Sequence, residues 1–419
     1  MKVVHLSTYD YHGGAAIAAK RHNESMINNG IDSILFVYQK FSCEKNIIEY
    51  PCKQKKYIYY VLFKILSKIF NLFYKVKTAY SFPFLGVNIS KMKEIEEADI
   101  IYIHWINGGF LSIDNLKEIL RLKKRVIFYL HDMWLMTGGC HQNYGCLKYS
   151  DCCIECPQLC MRNLFDPSSF LFRKKKDLLS LSGNISIVVP SSWIKKCCLN
   201  SFLSRKEISI IPNTINTALY QLYDKRLMKE AWGFPIDKIL ILFGAYGNVK
   251  NPFKGYDLFV EALLKLNEIS DKEYIVVFFG SRFEPQDLPF PTICVGSIND
   301  DKKLAELYNA VDVYVTSSLA ESFGQTILES IACGTPVVGF NTGGIPDLIK
   351  HKVTGYLANY LDVDDLCDGI IWCIQNITKP DTRKTLHYFA KDNFSYDHVA
   401  SLHLDILLRL LSSKNDNAD

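Results

Sequence analysis

VTSSLAESFGQTILESIACGTPVVGFNTGGIPDL occupies residues 315–348 and decides the fold. Residues 313–316 form a β-branched run that reads as a buried strand end. Residues 317–324 are a loop holding one acid, Glu321. Residues 325–333 read as a helix with Ile327, Leu328 and Ile331 on one side. Gly334 is placed to cap it, and Pro336 blocks its continuation. Residues 337–340 form the next strand, Thr342-Gly343-Gly344 a second tight loop, and another short helix follows. This is strand–loop–helix twice over, with small residues at both loop-to-helix junctions. Free N–H groups at a helix start favour an anion, and two such starts at the carboxyl ends of parallel strands suit a diphosphate. Glu321 and Glu329 flank that position. They either accept hydrogen bonds from sugar hydroxyls or are a solvated loop acid and an exposed helix acid. Spacing alone leaves both readings open.

Glu321-x7-Glu329 with Ser322-Phe323-Gly324 between, then Gly334-Thr335-Pro336-Val337-Val338 and Gly343-Gly344-Ile345-Pro346, resembles the donor site of the family 4 retaining glycosyltransferases. The resemblance implies an α/β chain of GT-B fold, two Rossmann-like domains facing across a cleft. It also implies a nucleoside-diphosphate sugar donor carried mainly by the second domain. Glu329 would then accept from the ribose hydroxyls, and Glu321, nominated with His131 as catalytic, would hold hydroxyls of the transferred sugar. Backbone N–H groups of Phe323, Gly324, Gln325 and Thr326, with Lys254 and the Gly343-Gly344 loop, would carry charge as the diphosphate leaves. Such catalysis is positioning plus electrostatic stabilisation of the leaving group, with retention of configuration and no catalytic metal or other cofactor.

The chain has 419 residues, enough for two or three domains. Its 48% hydrophobic and 22% charged content is ordinary for a globular protein. A net charge of +4 is too small to argue for a nucleic-acid partner. MKVVHLSTYD at the start has too short an apolar core for a signal segment and reads as a first strand. No apolar run is long enough to span a membrane. Fourteen cysteines without an export signal imply a reducing, cytoplasmic location without disulfides.

The first domain is expected over residues 1–214. After its opening strand, Gly13-Gly14 brings backbone close to a ligand at a strand-to-helix turn; in the resembling family this loop faces the donor phosphates and the acceptor. Residues 57–77, YIYYVLFKILSKIFNLFYKVK, place Lys64, Lys68, Asn71 and Lys75 on one narrow stripe at 100° per residue. Between Lys40 and Lys77 there are nine Lys and two acids, a local +7, so the remaining chain is near −3. Such a helix suits the face of an anionic membrane, with burial on most sides as the alternative. Membrane-associated members of the family use a basic, apolar surface of the first domain, which favours peripheral contact on the inner face of the cell membrane. His104 and His131 end two buried strands. His104 is equally well a satisfied core histidine, whereas His131 resembles the family histidine whose side chain or neighbouring backbone lies against the transferred sugar.

Residues 137–160 form an insert with six Cys in the 21 residues from Cys140 to Cys160. In a reducing compartment that density suggests metal before disulfide. Cys140, Cys146, Cys153 and Cys156 are the nominated ligands of a structural zinc, with reduced, packed thiols as the alternative. TGGC followed by spaced Cys and CPQL resembles a subset of bacterial surface-polysaccharide glycosyltransferases. The insert would overhang the cleft mouth as an acceptor-side lid.

The second, nucleotide-sugar-binding domain is expected over 215–395, and a helix over 396–411 is expected to cross back to the first domain. The residues beyond it look disordered. Lys254 resembles the family lysine that neutralises the donor diphosphate. One departure is visible. Many members place an Arg directly after the strand glycine, where this chain has Ala245; Lys250 is a candidate replacement. The resulting expectation is transfer of a sugar to a saccharide or lipid-linked acceptor in surface-polysaccharide synthesis. A same-fold epimerase and a non-catalytic membrane scaffold are the rivals, and the Glu321/Glu329 pair with Lys254 argues against the scaffold.

Overall fold

The computed structural model describes residues 1–160, 165–180, 183–244, 252–280, 288–376 and 380–412. Ala245 and Lys250, and the C-terminal tail beyond residue 412, lie outside the described residues. The chain divides into two compact units, Met1–Pro212 with Val399 onward, and Asn213–His398.

The first unit is built on strands β1 (Lys2–Tyr9), β2 (Asp32–Gln39), β3 (Ile47–Glu49), β4 (Ile100–Ile103), β5 (Arg125–Tyr129), β6 (Ile185–Val189) and β7 (Ile208–Ile210). They form a seven-stranded sheet in the order β3-β2-β1-β4-β5-β6-β7, and every neighbouring pair is parallel. The sequence dictates this. Runs such as IIYI and ISIVV, apolar at every position but Ser186, are buried throughout, as strands covered on both faces must be. One face carries a core of Leu6, Phe36, Ile101, Phe128 and Ile187. The other buries Val3, Tyr102, Ile127 and Tyr129 against Val399, Ile406 and Leu407 of the last helix, Tyr396–Ser412. Tyr102 Oη and His403 Nδ1 are 3.0 Å apart there. The C-terminal segment is therefore an integral part of the first unit's core.

The second unit contains β8 (Ile239–Gly244), β9 (Tyr274–Phe279), β10 (Thr292–Gly296), β11 (Val313–Thr316), β12 (Val337–Phe340) and β13 (Gly355–Ala358). Their order is β10-β9-β8-β11-β12-β13, again all parallel. In both sheets the chain starts in the middle, builds to one edge, then returns to build the other. The order reverses between β1 and β4 and between β8 and β11. Such switch points open a crevice at the carboxyl ends of the strands, where ligands of this architecture bind.

A buried ion cluster ties the second sheet to its outer helix. Asp312, just before β11, accepts from Lys225 Nζ at 2.8 Å and faces Lys229 Nζ at 3.2 Å. The N–H of Leu240 on β8 donates to its second oxygen at 2.9 Å. Lys229 also donates to the carbonyl of Lys238 at 2.7 Å. Burial pushes the Asp312 carboxyl up, but the two ammonium groups and the backbone donor outweigh it, and its pKa lies below the ordinary value.

The helix read from residues 57–77 spans Lys53–Tyr74 and stops where Lys75 turns left-handed, at φ 41°. No residue of it is fully buried. Tyr59, Phe63, Phe70 and Tyr74 form the half-buried face. Tyr59 packs on the first core, and Phe70 meets Tyr80, Phe82 and Phe84. Ile58, Leu62, Ile65, Ile69, Leu72 and Phe73 point outward, with Leu72 74% exposed. At 100° per residue these six form one stripe, bordered by Lys64 and Lys68. The alternative of a helix buried on most sides does not hold.

Candidate functional site

In the second unit, the loop after β11 is fastened to the segment that carries Lys254. Ser317 Oγ donates to the carbonyls of Lys254 (3.0 Å) and Gly255 (2.7 Å), and the N–H of Leu319 donates to Phe253 O at 2.9 Å. Gly255 is left-handed, and a Cβ there would stand 2.0 Å from Ser317 O. Only glycine permits this approach, and it sets Lys254 Nζ 3.4 Å from Glu321 Oε2. Both side chains remain partly open, at 34% and 28%.

The loop after β12 packs behind the same acid. The N–H of Gly344 donates to Glu321 O at 2.8 Å. Gly343 has φ +57°, and a Cβ on it would meet that oxygen at 2.1 Å. The helix Gln325–Ala332 starts at Gly324, φ +104°. Ile327 and Leu328 donate to the Gly324 carbonyl, while among the described residues no acceptor engages the N–H groups of Phe323, Gln325 and Thr326. Those donors point where an anion is stabilised. Phe323 itself is buried against Phe394, so its backbone is the part available to a ligand.

Glu329 lies on that helix and is 3% exposed. It accepts from Tyr308 Oη at 3.3 Å. It is therefore not an exposed helix acid. Burial and the nearby Glu329 hold the Tyr308 phenol well above its ordinary value, so it stays a donor. Thr326 Oγ1 accepts from Tyr314 Oη at 3.0 Å. Glu321, Lys254, Phe323, Gly324, Gln325, Thr326, Glu329, Gly343 and Gly344 thus share the carboxyl edge of one sheet beside its switch point.

In the first unit, Gly13 (φ +89°) and Gly14 open the helix Gly14–Asn28, and a Cβ on either would meet nothing within 4 Å. Among the described residues, the space beside these glycines is open. The loop after β4 is laced to the end of β1 by Thr8 Oγ1, which donates to Asn107 O at 2.6 Å. His131, two residues past β5, faces His104 Nδ1 through Nε2 at 2.8 Å. Burial pulls its pKa down to about 4, so it is neutral at physiological pH. Asp132 beside it is tied to His141 Nδ1 at 2.6 Å and to the N–H of Trp134 at 2.8 Å. His131, Asp132, His104 and Asn107 line one small pocket of about 20 Å³ at this carboxyl edge. Asn107 Oδ1 is buried there without a hydrogen-bond partner among the described residues. A cavity of about 680 Å³ lies elsewhere in this unit, along Lys117, Arg121, Lys123 and Asn184 at the amino ends of β5 and β6. Strand direction makes that groove the wrong end for the chemistry.

Cys140, Cys146, Cys153 and Cys156 line a single cavity of about 10 Å³. Among the described residues, however, no three His, Cys, Asp or Glu side chains are disposed to hold a metal ion. Cys153 Sγ accepts from the N–H of Gly138 at 3.2 Å, and Cys140 and Cys156 hydrogen-bond to each other. All fourteen cysteines are free. Beside this cavity lies the buried Lys175, whose ammonium donates to Trp134 O and sits 4.2 Å above the Trp134 ring.

Sequence reasoning did not find Tyr308, Asn107 or the hydrogen-bonded setting of His131. Tyr308 is 21 residues from Glu329 on another helix, and no local spacing links the two.

Two parallel Rossmann-like sheets of this strand order define the GT-B fold class. The sucrose-phosphate synthase of Thermosynechococcus elongatus superposes on the chain with a TM-score of 0.64 at 16% identity, covering 99% of this chain and 100% of that one. Anabaena HepE in complex with UDP-glucose superposes with a TM-score of 0.62 at 15% identity, covering 98% and 100%. Residues 224–392, inside the second unit, match the family described as Glycosyl transferases group 1. The chain is 22% identical over 335 residues to an uncharacterized glycosyltransferase of Methanocaldococcus jannaschii, covering 75% of this chain and 83% of that protein. It is 29% identical over 179 residues to the N-acetyl-alpha-D-glucosaminyl L-malate synthase of Bacillus anthracis, covering 41% of this chain and 45% of that one. The second unit thus carries a glycosyltransferase group 1 domain.

Proposed function

We propose that the protein moves a sugar from a nucleoside-diphosphate sugar to a saccharide or lipid-linked acceptor, with retention of configuration, in surface-polysaccharide synthesis on the cytoplasmic face of a membrane. The observation that carries this reading is the grouping of Lys254, Glu321, buried Glu329 and open helix N–H groups around the Gly343-Gly344 loop. Glu329 accepts from the ribose hydroxyls. Glu321 exchanges its contact with Lys254 for hydroxyls of the transferred sugar. That exchange frees the ammonium for the diphosphate, where a cation and oriented N–H groups in a desolvated site stabilise the charge that develops on the leaving group. His131, Gly13 and Gly14 serve the sugar and the acceptor side. HepE, whose fold this chain shares, binds UDP-glucose, so UDP-sugars head the panel of donors. Hydrolysis of UDP-, GDP- and ADP-sugars, with the anomer of the first product read by NMR, tests the proposal. One donor class should turn over with its anomeric configuration kept. Turnover of none, or an inverted product, would sink it.

The outward stripe of the Lys53–Tyr74 helix supports peripheral membrane contact. No helix among the described residues is long and apolar enough to cross a membrane. Instead a row of apolar side chains stands beside lysines, the arrangement that lies in an interface and prefers anionic lipid. Each Lys near such a surface contributes about 1 kcal/mol. The protein should therefore sediment with vesicles containing anionic phospholipid, not with purely zwitterionic ones, and lose binding as salt rises. Leu72→Glu with Phe73→Glu should abolish the association. Equal recovery with both vesicle types would remove the electrostatic part of the reading.

A further inference from the structure

Three buried imidazoles in the first unit form a hydrogen-bonded row. His5 Nδ1 and His104 Nε2 are 2.8 Å apart, as are His104 Nδ1 and His131 Nε2. The rings stack at 5.1 and 5.0 Å. Strand register builds this row. His5 on β1 pairs with Tyr102 on β4, and His104 lies two residues further on. Ile103 pairs with Phe128 on β5, which sets Tyr129 level with His104 and His131 two residues beyond. Residues two apart share a face, so the row runs diagonally from the sheet's centre to its carboxyl edge.

At the inner end, His5 Nε2 meets Met26 Sδ at 3.3 Å. A thioether has no hydrogen to give and acts only as a weak acceptor. His5 Nε2 must therefore carry the hydrogen. A neutral imidazole has one N–H and one lone pair, so His5 Nδ1 accepts from His104 Nε2–H. His104 Nδ1 in turn accepts from His131 Nε2–H. The opposite polarity would set two lone pairs against each other at Met26. Burial keeps the row neutral, lowering His5 and His104 far below the ordinary imidazole value. At the outer end, the pocket that His131 lines also holds the unpartnered Asn107 Oδ1, a second acceptor awaiting a donor.

We propose that Met26 is a positioning residue for His131: through His5 and His104 its thioether holds His131 as the Nε2–H tautomer and leaves Nδ1 as an acceptor for a sugar hydroxyl. This rests on the reading of His131 as a sugar-facing residue. The test uses the full chain with ring-15N histidine, in which the resonances of interest among ten histidines are assigned by single His→Asn variants. In the wild type, His5, His104 and His131 should all carry the proton on Nε2. Met26→Leu keeps the volume and removes the acceptor. It should shift His131 toward the Nδ1–H form and lower kcat for UDP-glucose by about tenfold, with little change in KM. A wild-type His5 or His131 protonated on Nδ1 overturns the proposal, and that spectrum decides even if the variant fails to fold. Unchanged tautomers in a folded Met26→Leu also overturn it. A tautomer shift with unchanged turnover would support the row's polarity and remove His131 from the sugar site.

Discussion

Replacing Lys254 by Ala should lower kcat by about 10²–10³-fold, the usual loss when one donor aimed at developing anionic charge is removed. The fold should survive. Among the described residues the Lys254 ammonium pairs with Glu321 at a partly open position, and such partly exposed pairs contribute little to stability. The structural work at this residue is done by its backbone carbonyl, held by Ser317 Oγ, which the substitution leaves in place. Lys254→Arg should recover only part of the activity, because a planar fork does not replace a compact ammonium in this setting. Donor turnover and thermal unfolding, measured side by side, check both halves. Turnover within about threefold of wild type would mean that the diphosphate charge is carried elsewhere.

Asp312→Ala should act in the opposite way, with a large loss of stability and no direct effect on chemistry. Asp312 sits between Lys225 and Lys229, and all three are largely removed from water. Deleting one partner of a buried ion cluster leaves the others uncompensated, at a cost of about 3–5 kcal/mol. The Leu240 N–H also loses its acceptor. The pH dependence follows from the direction of the shift. The folded carboxyl titrates below its unfolded value, so its contribution is fully present above the ordinary carboxylate range and is lost as pH falls through the folded pKa. The gap between wild type and variant in urea unfolding should be widest near neutral pH and close in acid. A gap that does not change from pH 7 down to about pH 3 would show that the ion cluster is not its source.

Much of the fold was legible because parallel strands buried on both faces read as nearly continuous apolar runs. Residues 100–103, 185–189, 239–244 and 274–279 carry that signal without ambiguity. The donor-side loops were legible too, because a left-handed backbone and close backbone approach leave glycine as the only option, as at Gly343 and Gly324. What the residues alone left open was depth. An acid eight residues after another reads the same whether it is wet or buried, and only the helix packing shows Glu329 enclosed beside Tyr308. In the insert, cysteine spacing alone did not show which thiols meet; the backbone, left-handed at Tyr144, Cys153 and Glu155, accompanies the gathering of Cys140, Cys146, Cys153 and Cys156 at one cavity. The basic helix was readable from its period, whereas its docked face depended on Tyr80, Phe82 and Phe84 from the following segment. His5 gave no signal at all. A histidine in KVVHLSTY becomes interpretable only when register sets it beside His104.

The most direct measurement is a calorimetric titration of UDP-, GDP- and ADP-sugars into the wild type and into Glu329→Ala. The expected result is saturable binding of one donor class. Its affinity should fall about 10–100-fold in the variant, the value of hydrogen bonds to a charged acceptor. Binding of no donor by the wild type, or equal binding by both proteins, would contradict the assignment of the nucleotide-sugar site to the carboxyl edge of the second sheet.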